Sequence, residues 1–130
     1  MSHLDKIFSI ENLTDDNADE QLSVIAKRNF EHCHINLDGV IYKFLEIEFY
    51  FWSSTHEDNK LDGKSFVYKR CNPEPTQYII HRSGIDLCLK SDSGFGGILI
   101  RSLLRIVGEK VESVVRCPID CSDALINYCY

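Results

Sequence analysis

Val40-Ile41-Tyr42-Lys43-Phe44-Leu45-Glu46-Ile47-Glu48-Phe49-Tyr50-Phe51-Trp52 is the stretch whose reading decides the fold of this chain. Side chains alternate across a strand with period two. That places Val40, Tyr42, Phe44, Glu46, Glu48, Tyr50 and Trp52 on one face, and Ile41, Leu45, Ile47, Phe49 and Phe51 on the other. Both faces are largely apolar, so the expectation is a strand covered on both sides. A carboxylate is rarely buried unless it is paired, hydrogen-bonded or held for chemistry. Glu46 and Glu48, neighbours on one such face, therefore mark the first candidate site. Their structural alternative is a wet face with ion pairs to Lys43, Arg101 or Arg105.

Working outward, Leu37-Asp38-Gly39 separates this strand from the apolar run 32 to 36, and an Asp-Gly pair between two such runs predicts a hairpin. Upstream, Leu22, Val24, Ile25, Ala26 and Phe30 recur at helical spacing, which predicts a helix from Asp19 to Phe30 that covers a sheet. Downstream, the polar residues 53 to 65 read as a long surface loop carrying His56, Glu57 and Asp58 away from the strand end. A short strand is expected at Phe66 to Arg70. A second hairpin follows, Gln77 to Arg82 and Ile85 to Lys90, turning at Ser83-Gly84. The glycines Gly94, Gly96 and Gly97 read as a turn leading into an apolar strand, Ile98 to Ile106. That strand contains Arg101, a guanidinium that must find an anion. Pro118 opens a short C-terminal helix. Hairpins between flanking helices predict an α+β domain on a mainly antiparallel sheet.

The chain has 130 residues, 44% of them hydrophobic, and a formal charge of −6. That size suits one domain, 1 to 130, with a core that needs neither disulfide nor metal. The negative balance excludes broad sequence-independent affinity for nucleic acid, which depends on many cations neutralising phosphates, so any such contact needs a local basic patch. No run approaches the roughly 20 apolar residues of a membrane span. Residues 1 to 30 have no basic, apolar and small-residue succession of a leader. A soluble intracellular protein with reduced cysteines is the expectation. Cys33 and Cys88 read as small buried hydrophobes in strand-like runs. The gap between Cys117 and Cys121 is too long for the usual zinc knuckle, so no metal is expected.

Four features stand in order along the chain: Glu46-Ile47-Glu48-Phe49-Tyr50, His56, Tyr78-Ile79-Ile80, and Ile98-Leu99-Ile100-Arg101-Ser102-Leu103. This succession, over roughly residues 38 to 108, resembles the alkyladenine (methylpurine) DNA glycosylase family, whose strand Glu-Thr-Glu-Ala-Tyr precedes a histidine loop, a Tyr-Ile-Ile strand and a Leu-Leu-Arg-Ala-Leu strand. The resemblance implies a glycosylase-like core without cofactor. It implies that Glu48 activates the attacking water and Arg101 helps hold it. It further implies that Tyr50, His56 and Tyr78 stack on or hydrogen-bond to a flipped base. Where that family carries a bulky wedge residue this chain has His81-Arg82-Ser83-Gly84, so His81 or Arg82 takes the wedge position, and Lys90 falls at the family's gating asparagine.

The chemistry is coherent on its own terms. An enzyme acting on a base must extrude it from the duplex and stack it on aromatic faces, and a carboxylate can then deprotonate water and stabilise positive charge on the sugar. Lys69, Arg70, Arg82 and Lys90 are the candidate set for phosphate contacts, the structural alternative being scattered solvated cations. The implied partner is a nucleic acid bearing a modified base. The rival expectation, from another class, is an acidic non-catalytic interaction protein that binds a protein partner, or a second copy of itself, through a sheet edge or aromatic surface.

Overall fold

Asp38 and Gly39 both take positive φ, 52° and 88°. Two successive residues of that kind make the primed turn whose twist matches antiparallel strands, and the Asn36 side chain accepts from the Gly39 N–H at 3.0 Å. The computed structural model of the chain describes residues 9–10, 12–56, 78–89, 91 and 94–126. Among them the order is α1 (Ala18–His32), β1 (His34–Leu37), β2 (Val40–Ser53), β3 (Tyr78–His81), β4 (Gly84–Leu89), β5 (Gly94–Val107), β6 (Lys110–Arg116) and α2 (Pro118–Ile126). All ladders are antiparallel, in the order β1-β2-β5-β4-β3, with β6 also on β5. The expected α+β architecture is what the chain has. The expected strand at 66 to 70, with Lys69 and Arg70, lies outside the described residues, as does Lys90.

The sheet is organised by β2 and β5, each 14 residues long and paired with one another from end to end. The other edge of β5 is shared: β4 takes Gly96 to Leu99 and β6 takes Ser102 to Val107. β6, a strand between Gly108 and Cys117, had no counterpart in the sequence expectations. Its exposed residues give it almost no apolar periodicity. The glycines at 94 to 97, expected as a turn, are instead the first part of β5. Gly96 is glycine because a Cβ there would run into the Phe51 ring.

The expected single-face assignment of β2 is overturned by a paired irregularity. Phe44 faces Leu103, Glu46 faces Ser102 and Ile47 faces Ile100, so Leu45 is an extra residue in β2 and Arg101 an extra residue in β5. Such an insertion reverses the alternation of the strand that carries it. Val40, Tyr42 and Phe44 are buried before it, whereas Phe51 is buried and Ile47 and Phe49 pack on the core after it. The expectation that β2 is covered on both sides fails at Glu46 and Glu48, which are exposed, while Tyr50 and Trp52 further along that face are half-buried.

The two apolar clusters lie on one side of the sheet, while Asp86 and Cys88 are buried on the other. Ala18 and Ile25 of α1 meet Phe51, Leu89 and Ile98 at one end, while Cys121 and Leu125 of α2 meet Tyr42, Phe44, Ile85, Ile100 and Leu103 at the other. Cys33 ends α1 rather than lying in a strand, and Cys88 is fully buried. Cys33, Cys117 and Cys121 are free thiols.

Burial, reinforced by neighbouring Cys117, Asp120 and Glu46, pushes the Cys121 thiol from 9.0 up to about 12. The thiolate is the nucleophile, so pulse alkylation near neutral pH should label exposed Cys117 and spare Cys121 until denaturant is added. Because the folded value is the higher one, the associated stabilisation is complete below 9.0 and is lost as pH rises towards about 12. Equal labelling of the two cysteines in native protein, read by mass spectrometry, would refute this.

Candidate functional site

Strand pairing assembles a row of residues across three strands on the face opposite Ile98 and Ile100. Glu48 of β2 and Asp86 of β4 are both partners of Leu99 in β5. Two strand spacings therefore separate the two acids, roughly 10 Å. In the next row Tyr50 and Cys88 are both partners of Gly97. Arg101, displaced by the bulge, projects on this face and donates from Nη1 to Oε2 of Glu48. Beside it Ser102 donates its hydroxyl to Glu46 at 2.8 Å. The guanidinium thus meets the anion that its place in an apolar strand demanded. The pair is open to solvent, with 46% of the Arg101 side chain and 55% of Glu48 exposed.

Asp86 has the opposite environment, with no exposed surface at all. The Tyr50 hydroxyl donates to its Oδ2 at 2.6 Å, and His81 Nε2 touches the same oxygen at 2.9 Å. The imidazole contact is close but off the line of a directed hydrogen bond, and Oδ1 has no partner among the described residues. The Ser83 N–H donates to His81 Nδ1 at 3.2 Å, which leaves the ring proton on Nε2, against Asp86. Tyr50 reaches Asp86 by crossing Gly97, where a Cβ would fall 2.5 Å from the hydroxyl oxygen and 2.8 Å from Cζ.

Of the residues expected at the site, Glu48, Tyr50, Arg101 and His81 share this face. His81 is not at the hairpin tip. Its side chain is only 15% exposed and both ring nitrogens face neighbours, which removes it from the wedge position. The turn is Arg82-Ser83, one residue earlier than expected, and both residues are exposed. Tyr78 points the other way: it is partner to Leu87 and lines a cavity on the core side, so it does not oppose Tyr50 across a base. His56 folds back on Ser53 instead of being carried away from the strand end, and its Nδ1 meets Asp15 at 2.8 Å. Ser53 is roughly 17 Å along β2 from Glu48 at about 3.4 Å per residue, which separates His56 from the face.

Asp86 is the site residue that the sequence expectations missed. The signal was present: an aspartate inside the apolar run Ile85-Asp86-Leu87-Cys88-Leu89 demands a partner as surely as Arg101 does. The core-side cavity encloses about 430 Å³, lined by apolar residues that include Ile35, Leu37, Tyr78, Ile80 and Ile126, and reaches neither Glu48 nor Tyr50. Among the described residues no group of three His, Cys, Asp or Glu side chains could hold a metal ion, and no helix is long and apolar enough to cross a membrane. Comparison with family models, with curated proteins and with solved structures finds no match for this chain.

The two acids differ in what their removal costs. Tyr50→Phe strips the buried Asp86 of its directed donor and should destabilise the protein by about 1–3 kcal/mol in urea unfolding. Glu48→Gln breaks an exposed ion pair and should cost about 0–1 kcal/mol. A Glu48→Gln loss equal to that of Tyr50→Phe would show that the solvent-open pair is a structural element.

Proposed function

We propose that this chain hydrolyses the N-glycosidic bond of a modified purine turned out of a nucleic-acid strand, with the polar sheet face around Glu48 as the floor of its site. The observation that carries the proposal is the Glu48–Arg101 pair, two residues from Tyr50 along the strand, in a chain whose ordered motifs resemble the methylpurine glycosylases. Glu48 takes a proton from water, the water oxygen bonds to the sugar carbon, and the carbon–nitrogen bond breaks with its electron pair leaving on the base. Arg101 supplies fixed positive charge beside the carboxylate and a donor for the water. Tyr50 is the aromatic surface for the extruded base. Arg82, exposed at the β3–β4 turn, is the phosphate or wedge contact. No cofactor enters this chemistry. Affinity is salt-sensitive, since a chain of charge −6 holds phosphates by few local cations.

A second function is favoured by a different observation. Tyr78 and Ile80 of β3 are 64% and 52% exposed at the mouth of the apolar cavity. Apolar surface of that kind suits a protein partner and needs no catalysis.

The deciding experiment assays release of free base from DNA and RNA duplexes and single strands bearing alkylated and deaminated purines. The parent should release at least one such base, and Glu48→Gln should slow release by about 10²-fold or more while its fold and duplex affinity stay close to the parent's. Arg82→Ala should weaken duplex binding. Absence of release by the parent across the whole panel would overturn the proposal in favour of the binding function.

A further inference from the structure

We propose that Asp86 is a positioning residue: through the Tyr50 hydroxyl it fixes the tyrosine ring as a rigid stacking wall beside Glu48, for a planar purine-like ligand. The ligand and the reaction rest on the function proposed above, while the positioning does not. Tyr50 starts opposite Gly97, yet its hydroxyl reaches Asp86 in the row of Glu48, so the ring crosses β5 diagonally towards that row. Gly97 leaves the path open, because any larger residue would put its Cβ 2.5 Å from the hydroxyl oxygen. The ring is thus held at its root by the backbone of β2 and at its tip by a carboxylate.

The environment of that carboxylate is the second argument. Asp86 is wholly buried, one oxygen is shared by Tyr50 and His81, and the other has no partner among the described residues. Burying an acid with so few donors is costly, and an apolar residue of similar volume would fill the space at less cost. What the apolar residue cannot do is hold the tyrosine hydroxyl. His81 Nε2 lies 2.9 Å from the same oxygen without making a directed hydrogen bond, so the Tyr50 hydroxyl is the directed donor to Asp86. A ring ordered before the ligand arrives loses no rotamer freedom on stacking, and its angle beside Glu48 sets where the sugar carbon lies.

The test compares the parent with Asp86→Leu, Tyr50→Phe and the double variant. Asp86→Leu should stay folded, the loss of a buried acid offsetting a Tyr50 hydroxyl left without its acceptor, and yet slow single-turnover base release by about 10-fold or more, with duplex affinity changed less than about threefold. The double variant should be no slower than the slower single one, because Asp86 acts through Tyr50. Release by Asp86→Leu at the parental rate, or losses that multiply in the double variant, would overturn the proposal. A second readout needs no activity. Rotamer averaging of labelled Tyr50 about χ1, read from NMR scalar couplings, should be small in the parent and large in Asp86→Leu, because the hydroxyl bond fixes where the ring points. If the parent releases no base, the proposed reaction falls and the ring measurement alone decides, an equally immobile ring in Asp86→Leu overturning the positioning. Should Asp86→Leu fail to fold, Asp86→Asn, which weakens the same bond at unchanged shape, takes its place in both measurements.

Discussion

The β2–β5 ladder depends on two extra residues placed opposite one another. Leu45 and Arg101 cancel in register, so the strands remain paired from Val40–Val107 to Ser53–Gly94. Each nevertheless reverses the alternation of its own strand. Without that reversal, the apolar set Ile47, Phe49 and Phe51 would emerge on the side opposite Tyr42 and Phe44, and one core could not run the length of the sheet. The same reversal turns Glu48 outward to Arg101 and sets Ser102 against Glu46. A packing requirement and the candidate site therefore share one piece of backbone.

Two kinds of acid result on the outer face, and their physics differs. Glu48 is exposed and paired, so it adds little to stability. Asp86 is sealed in, so its desolvation must be offset by Tyr50 and His81, and it is suited to holding other groups rather than meeting solvent. Leu99 between them is the common partner of both. The two acids stand at opposite ends of one row, an open carboxylate at one end and a locked tyrosine hydroxyl at the other.

The aromatic content of β2 also explains the glycines of β5. Strands seldom favour glycine, which adds backbone entropy and no packing. Here the rings of Tyr50 and Phe51 lie over the neighbouring strand and occupy the space where side chains at Gly97 and Gly96 would stand. Side-chain volume is moved from one strand to its partner. The polar face of the sheet owes its Tyr50–Asp86 bond to that transfer.

Local chemistry was legible in the sequence by itself. Asp38-Gly39 specified a hairpin because only residues tolerant of positive φ make that turn, the helix before it followed from apolar spacing, and Pro118 opened the last helix because it lacks only an N–H that a first turn does not use. Arg101 in an apolar strand announced an anion, and Glu48 is that anion. What the tertiary structure alone decided is whatever depends on register between strands. Periodicity counts residues along one chain and cannot see an extra residue answered by another in the partner, so the change of face at Leu45 was invisible. Tyr50 and Asp86 are 36 positions apart and meet only because β5 lies between β2 and β4. Tyr78 and Tyr50, equivalent as strand aromatics in sequence, fall on opposite sides of the sheet because pairing with Leu87 turns one towards the core, while partnership with Gly97 leaves the other lying across the outer face.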